Sequence, residues 1–527
     1  MTSRSAREHI VVGSGPAGVS AADALLRQGH RVLMVDAGGE ADAPLQAAAA
    51  RLGAHEPAEW TPDMLALVRG PLRYNGEGMP LKLAFGSDHV YRDVERLQPV
   101  RARGVDVFRG LAAGGLSVLW GAAVAEFTEV DLDGWPIGHA DLAPFYRDAR
   151  EMTGTAVSGG REFESVDAQA LALSPQARVI ADRSRGAAAA LAAAGLRVGV
   201  ARLAVRPASS CRYCAMCLYG CPYGLIYSAE QTLRERLLPV GGFRYEPGVL
   251  VRRVTHDGTG VVVHGESRDR GQGRAFRGAR VFLAAGSVAT TAILLESLGA
   301  AGVPLQLRQS DHVLVPLWLH RDPGSLDVPM HTLSQLFMQL DDSGAPSRPV
   351  HLQLYTYNDH YQRIAADWLG AFARPAGLAL RPIMRRLVLL KGYLHSGDSA
   401  AVRVVQPRRG DPRLDIDVMT GAPSGHGVRR LVRRLTVVRR HLGASPIPLA
   451  ARMGRPGSSV HLGGSFPMRR EPGRFETDAL GRVPGLTAVH VVDATVFPTL
   501  PAAPPTLTIM ANARRIATEA GHMTEEA

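Results

Sequence analysis

Cysteine is nearly absent from this chain of 527 residues. There are four, Cys211, Cys214, Cys217 and Cys221, and all fall within one short stretch. No bridge among them can reach the rest of the chain, which excludes a disulfide-stapled secreted scaffold. Lysine is scarcer still. Lys82 and Lys391 are the only two among 60 basic residues, the rest being arginine, a bias typical of a GC-rich coding sequence. Aromatics make up only 6% and are rarely interleaved with the scattered arginines. The net charge of +11 therefore reads as a solvated basic surface and not as a nucleic-acid interface. No apolar run reaches the roughly 18 residues that a membrane-spanning helix needs. The polar opening, Met1 to Glu8, runs straight into an apolar strand. No secretory signal is expected, and a cytoplasmic location is.

What is present is ordinary globular material, 46% hydrophobic and 21% charged. The length suits roughly three or four domains, or two large interleaved ones. Such a chain can bury a large core without disulfides. His9 to Val12 reads as a strand, followed by Gly13-Ser14-Gly15-Pro16-Ala17-Gly18 and a helix to about Gln28. Arg31 to Val35 is a second strand, ended by Asp36. In such a unit Gly13 permits a tight turn, Gly15 lets backbone approach a pyrophosphate, and Gly18 lets helix and strand pack closely. The helix N-terminus favours the anion, and Asp36 is spaced to accept from ribose hydroxyls. Dinucleotide binding is expected; the loop by itself does not separate FAD from NAD.

Further helices are expected at Asp42–Leu52, Asp141–Met152, Gly186–Ala194, Ala229–Leu238 and Val288–Leu298. Strands are expected at 243–252, 260–265 and 279–284. Alternating runs at Leu314–His320, Val350–Tyr357 and Ala401–Gln406 read as an antiparallel sheet. Near the C-terminus His461-Leu462-Gly463-Gly464 precedes the strand Ala488–Val492 and Asp493. A Pro-rich turn, Pro498 to Pro505, then opens a last helix at Thr506, whose free N–H groups again suit an anion or a ring edge.

Taken in order, these segments resemble the glucose–methanol–choline (GMC) family of FAD-dependent alcohol oxidases and dehydrogenases. The resemblance rests on Gly13–Gly18 with Asp36, on Gly114-Gly115-Leu116-Ser117 to Trp120-Gly121, and on Trp135-Pro136-Ile137. It also rests on Ala284 to Leu298, on His461, and on Asp493 to Thr508. It implies FAD as cofactor, with Gly13, Gly15, Gly18, Asp36, Gly114, Gly115, Ser117, Trp120, Asp493 and Thr506 around it. It also implies that His461 is the catalytic residue near flavin N5. A neutral imidazole can take the hydroxyl proton while the flavin takes the hydride. One position departs from the family. Where a second His or Asn usually stands, this chain has Pro504, which offers neither a side-chain donor nor an N–H. Either His461 works alone, or Asn512 or His312 supplies the missing hydrogen bond, or the chemistry is not simple alcohol oxidation.

The cysteine run, C-x2-C-x2-C-x3-C-P, has bacterial ferredoxin spacing. Cys211, Cys214, Cys217 and Cys221 are thus expected to ligate an iron–sulfur cluster, [4Fe-4S] or [3Fe-4S]. Zinc, or cysteines that are vestigial or a redox pair, are the alternatives. A cluster would pass electrons singly to an acceptor protein or quinone and favour a dehydrogenase over an oxidase. The basic, apolar stretch Leu369–Leu394, with Arg374, Arg381, Arg385, Arg386 and Lys391, could lie on an anionic membrane. The plainer expectation is a helical cover over the substrate-side sheet.

The expected fold is α/β, with a Rossmann-like FAD-binding domain (1–155, 205–312 and 456–527) interleaved with an α+β substrate domain. The latter is built on an antiparallel sheet (156–204 and 313–455), with a cysteine segment at 209–224. The expected activity is oxidation of a CH–OH group of a small-molecule alcohol or sugar-like substrate. A flavoprotein with internal redox chemistry and an electron-transfer partner without its own substrate are the rivals.

Overall fold

In the computed structural model, residues 8–74, 81–155, 171–256, 260–325, 328–341, 348–358, 363, 382–419 and 426–523 are described. The strand His9–Val12 is buried at all four positions, as a parallel strand covered on both faces must be. It pairs in parallel with Val32–Val35 on one side and Val281–Leu283 on the other. Phe243–Glu246 and Leu486–Val491 extend the sheet at its two sides, also in parallel, and antiparallel Arg482–Val483 completes six strands. One sheet thus draws on the start, the middle and the end of the chain.

The first helix, Pro16–Arg27, starts at the turn after the central strand and packs along the last helix, Thr506–His522. Between them Asp23 accepts from Arg514 at 2.5 Å and from Arg236 at 2.8 Å, while Arg514 also reaches Asp148 at 2.7 Å. A carboxylate this buried is tolerable only because it is paired, and the pairing locks three helices together.

A second sheet has seven strands and is antiparallel throughout. Its order is Ala444–Pro446, His312–Leu319, Leu387–Tyr393, Val350–Tyr355, Leu336–Leu340 and Leu196–Val200, with Arg452–Met453 pairing to His312–Leu319. Ile180, Leu431, Leu435 and Val438, from the helices Pro175–Gly186 and His426–Leu442, pack into the apolar cluster on it. A five-stranded sheet and the three-stranded Val249–Gly278 sheet complete the mixed α/β fold.

Several expectations shift. The helix expected at Gly186–Ala194 runs over Ala188–Ala193, and an unexpected helix, Pro175–Gly186, precedes it. The helix expected at Ala229–Leu238 contains a π turn over Leu233–Leu237. Where the basic stretch is described, residues 382–386 form a short helical segment and most of the rest is strand. Leu387–Tyr393 is an inner strand with partners on both sides, and Arg385 and Arg386 face Asp322 at 3.5 and 3.9 Å. Arg374 and Arg381 lie outside the described residues, as does 156–170. No helix among the described residues is long and apolar enough to cross a membrane.

Candidate active site

A cavity of about 640 Å³ lies over the C-terminal ends of the central parallel strands, bordered by residues that follow each of them: Gly13, Asp36 and Ala284. Three helices begin at its wall, with Gly15, Gly286 and Pro505 at their N-caps, and none of the three has a side-chain cap. Their first N–H groups are therefore open, and three positive dipole ends meet in one space. Such a space suits a large, extended, anionic ligand.

The glycines divide by what a Cβ would meet. At Gly13, with φ of 100°, it would strike the Ala284 carbonyl at 2.4 Å, and at Gly18 it would strike the Gly13 carbonyl at 1.9 Å. At Gly15 it would meet no protein atom within 4 Å and would project into open space at the cavity wall. That is the cradle a diphosphate requires, so the residues fit a dinucleotide. Asp36 also lines the cavity. It accepts from Ser14 N at 2.7 Å and Gly38 N at 2.6 Å, and these bonds partly offset the burial that pushes its pKa up. Asp493 is held likewise by Gly286 N at 2.9 Å and the Thr290 hydroxyl at 2.6 Å, joining the last strand to the Ser287–Ser297 helix.

The second glycine segment crosses above the first. Gly114 N donates to the Ser14 hydroxyl at 2.9 Å, and Ser117 accepts from Ala229 N at 2.9 Å. Trp120 donates from its ring N–H to the Tyr227 carbonyl at 2.7 Å, and its own carbonyl accepts from Lys82 at 2.7 Å. Burial lowers the Lys82 pKa to about 8. Of the residues singled out in the sequence, Gly13, Gly15, Asp36, Gly115, Ser117, Trp120, His461, Asp493 and Thr506 all line the cavity. Gly18 and Gly114 do not. They are packing positions, Gly114 because a Cβ would come within 2.6 Å of Glu230 N.

His461 enters from a turn in which Val460 has φ of 68°. A β-branched residue rarely takes that conformation, and such strain clusters at functional sites. After it, Gly463 and Gly464 let the chain pass against the carbonyls of Ala494 and Phe497. The imidazole stacks on Tyr393, centroids 5.0 Å apart and planes 21° from parallel. Its Nδ1 has no hydrogen-bond partner among the described residues. Burial, then the charges of Lys391 and His351, bring its pKa down to about 3. At neutral pH it is a free base.

Pro504 lines the cavity and supplies no donor. Neither suggested substitute reaches the space. Asn512 is wholly buried, with its carbonyl oxygen taken by Arg515 at 2.9 Å. His312 shares a hydrogen bond with Ser458 at 3.2 Å. Instead Lys391, Tyr393, Gln353 and Tyr355 come to the His461 end from the antiparallel sheet. Sequence reasoning missed these four as site residues. The available signal was the two lysines in an arginine-rich chain, because both line this one cavity.

The expected cluster ligation is not assembled. Among the described residues no three His, Cys, Asp or Glu side chains converge on a metal position. Cys211, Cys217 and Cys221 pack against the main core and Cys214 against a separate cluster with Leu52, Val68, Met216 and Tyr219, although the thiols still interact electrostatically with one another. All four are free thiols. Burial pushes the pKa of Cys211 and Cys217 up and that of Cys214 to about 12, so these three are neutral.

Residues 96–313 and 412–513 match the N- and C-terminal family profiles described as GMC oxidoreductase. The chain is 27% identical to 6'''-hydroxyparomomycin C oxidase of Streptomyces lividus, over 96% of this chain and 89% of the relative. It is 26% identical to paromamine 6'-oxidase of Streptomyces fradiae, over 96% and 90%. Its fold is similar to the crystal structure of pyridoxine 4-oxidase from Mesorbium loti, with a TM-score of 0.60 and 18% identity over 98% of this chain and 100% of that one. With an FAD-sized cavity and these matches, the chain belongs to the GMC oxidoreductase family and is an FAD-dependent enzyme acting on CH–OH groups.

Proposed function

We propose that this enzyme oxidises a CH–OH group of a small-molecule alcohol to the carbonyl, with His461 as the base that takes the hydroxyl proton. The observation that carries this reading is the neutral imidazole of His461 at the wall of the dinucleotide-sized cavity. FAD, when bound, supplies the hydride acceptor. The open N–H groups at Gly15 and Ala17, with Asp36 behind them, would hold its diphosphate and ribose. The segment Gly115–Trp120 and the Asp493–Thr506 turns would flank its ring system. Tyr393 keeps the imidazole in plane by stacking, and a base held this way contributes typically about 10²–10⁴-fold to rate.

The electron pair is then passed on. The two curated relatives are named as oxidases, and we take dioxygen as the acceptor, with hydrogen peroxide as the second product. In this reading the cysteine run takes no part in that route. The test is anaerobic mixing of the holoenzyme with a panel of primary and secondary alcohols. Bleaching of the flavin band by at least one alcohol is expected. A flavin that no alcohol reduces would contradict the reading.

A further inference from the structure

Among the described residues, each charged side chain on the cavity wall but one has a hydrogen-bonded or ion-pair partner in the fold. Asp36 and Asp493 are saturated by backbone N–H groups and hydroxyls. Arg109 is held by Glu95 and by the Gln98 carbonyl. Lys82 donates to the Trp120 carbonyl. The remaining cation is Lys391. It sits on the strand Leu387–Tyr393, its ammonium 5.1 Å from the centre of the Tyr393 ring, and Tyr393 in turn stacks on His461. Among the described residues no carboxylate forms an ion pair with it.

This cation is placed where composition alone would not put one. The chain otherwise uses arginine, which binds carboxylates in a fixed fork, whereas an ammonium is a compact point charge with three rotatable donors. The chain keeps lysine at two positions, and both are on this wall. Its neighbours Gln353 and Tyr355 line the cavity too, and the Tyr355 hydroxyl donates to the Gln353 carbonyl oxygen at 2.7 Å. Among the described residues the His461 end therefore presents a positive charge without an ion-pair partner beside polar donors, with no unpaired carboxylate to receive a cationic group.

We propose that Lys391 anchors an anionic group of the substrate, so that the alcohol oxidised at His461 carries a carboxylate or comparable acidic group. This deepens the reading of the site and rests on it. A substrate with an ammonium at that end would be repelled; one with an anion would be held a few ångströms from the base, which is positioning that the lost donor at position 504 no longer gives.

The experiment is a titration of the oxidised holoenzyme, at constant ionic strength, with two pairs that differ only in charge. Acetate is compared with acetamide, and benzoate with benzamide, following the flavin absorption spectrum. A saturable perturbation by the carboxylates and a weaker or absent one by the amides are expected. Lys391→Met is expected to weaken the carboxylate response about tenfold or more, while Lys391→Arg retains it. Equal or absent responses to acid and amide overturn the proposal, as does a carboxylate response that survives in Lys391→Met. The base reading fails separately: it falls if His461→Asn reduces its flavin as fast as the parent enzyme, whatever the titration gives.

Discussion

Tyr393 and His461 lie ring on ring, centroids 5.0 Å apart, although they come from different parts of the chain. Tyr393 ends an inner strand of the antiparallel sheet, and His461 follows a strained turn at Val460. The contact joins the sheet that faces substrate to the residue that takes the proton. An offset aromatic pair is worth about 0.5–1.5 kcal/mol beyond its buried area. Tyr393→Phe should keep the stack and nearly full activity. Tyr393→Leu should lower kcat severalfold with FAD content unchanged, as read by steady-state kinetics and the flavin absorbance ratio.

Gly15 and Gly18 should respond oppositely to a side chain. Gly15→Val fills space in the cavity, so FAD affinity should fall by tenfold or more while the apoprotein melts at the parent temperature. Gly18→Val drives a side chain into the Gly13 carbonyl and should destabilise apo and holo forms alike. Thermal melts with and without added FAD separate the two.

Acid should destabilise the fold through its buried histidines. Burial lowers the pKa of His9, His312, His351 and His461 to about 3 and that of His331, His395 and His490 to about 4. The unfolded chain, with imidazoles near 6.5, binds more protons below that pH than the folded one. Stability is therefore fully present above pH 6.5 and is lost progressively as pH falls toward 3 to 4. The melting temperature against pH checks this; a flat profile below 6.5 would contradict it.

The purified protein should carry FAD without stoichiometric iron. Four thiols per chain should react with a thiol reagent in denaturant, and aerobic turnover should release one hydrogen peroxide per alcohol oxidised. Iron quantitation and a peroxide assay read both. Iron at three or four atoms per chain would reinstate the cluster that the cysteine spacing suggests.

The parallel sheet was legible because its first unit is local: a strand, Gly13–Gly18, a helix and Asp36 follow one another in sequence. His461 was legible through neighbouring glycines and a familiar order of segments. Lys391 was not. Its strand sits in a stretch rich in arginine and interrupted by proline, and only pairing with His312–Leu319 and Val350–Tyr355 turns its side chain to the cavity. The cysteine spacing records which thiols are near in sequence, whereas a metal site also needs their side chains to converge, and among the described residues no three ligating side chains do so.

The central claim is that the neutral imidazole of His461 takes the substrate proton as the hydride leaves. The direct measurement is the anaerobic rate of flavin reduction by a reactive alcohol, in the parent enzyme and in His461→Asn, across pH. The account predicts a loss of roughly 10²–10⁴-fold in the variant with FAD still bound. It also predicts an acid limb in the parent displaced from 6.5 toward 3. An unchanged rate in His461→Asn, or a parent acid limb at 6.5 that the variant retains, would contradict it.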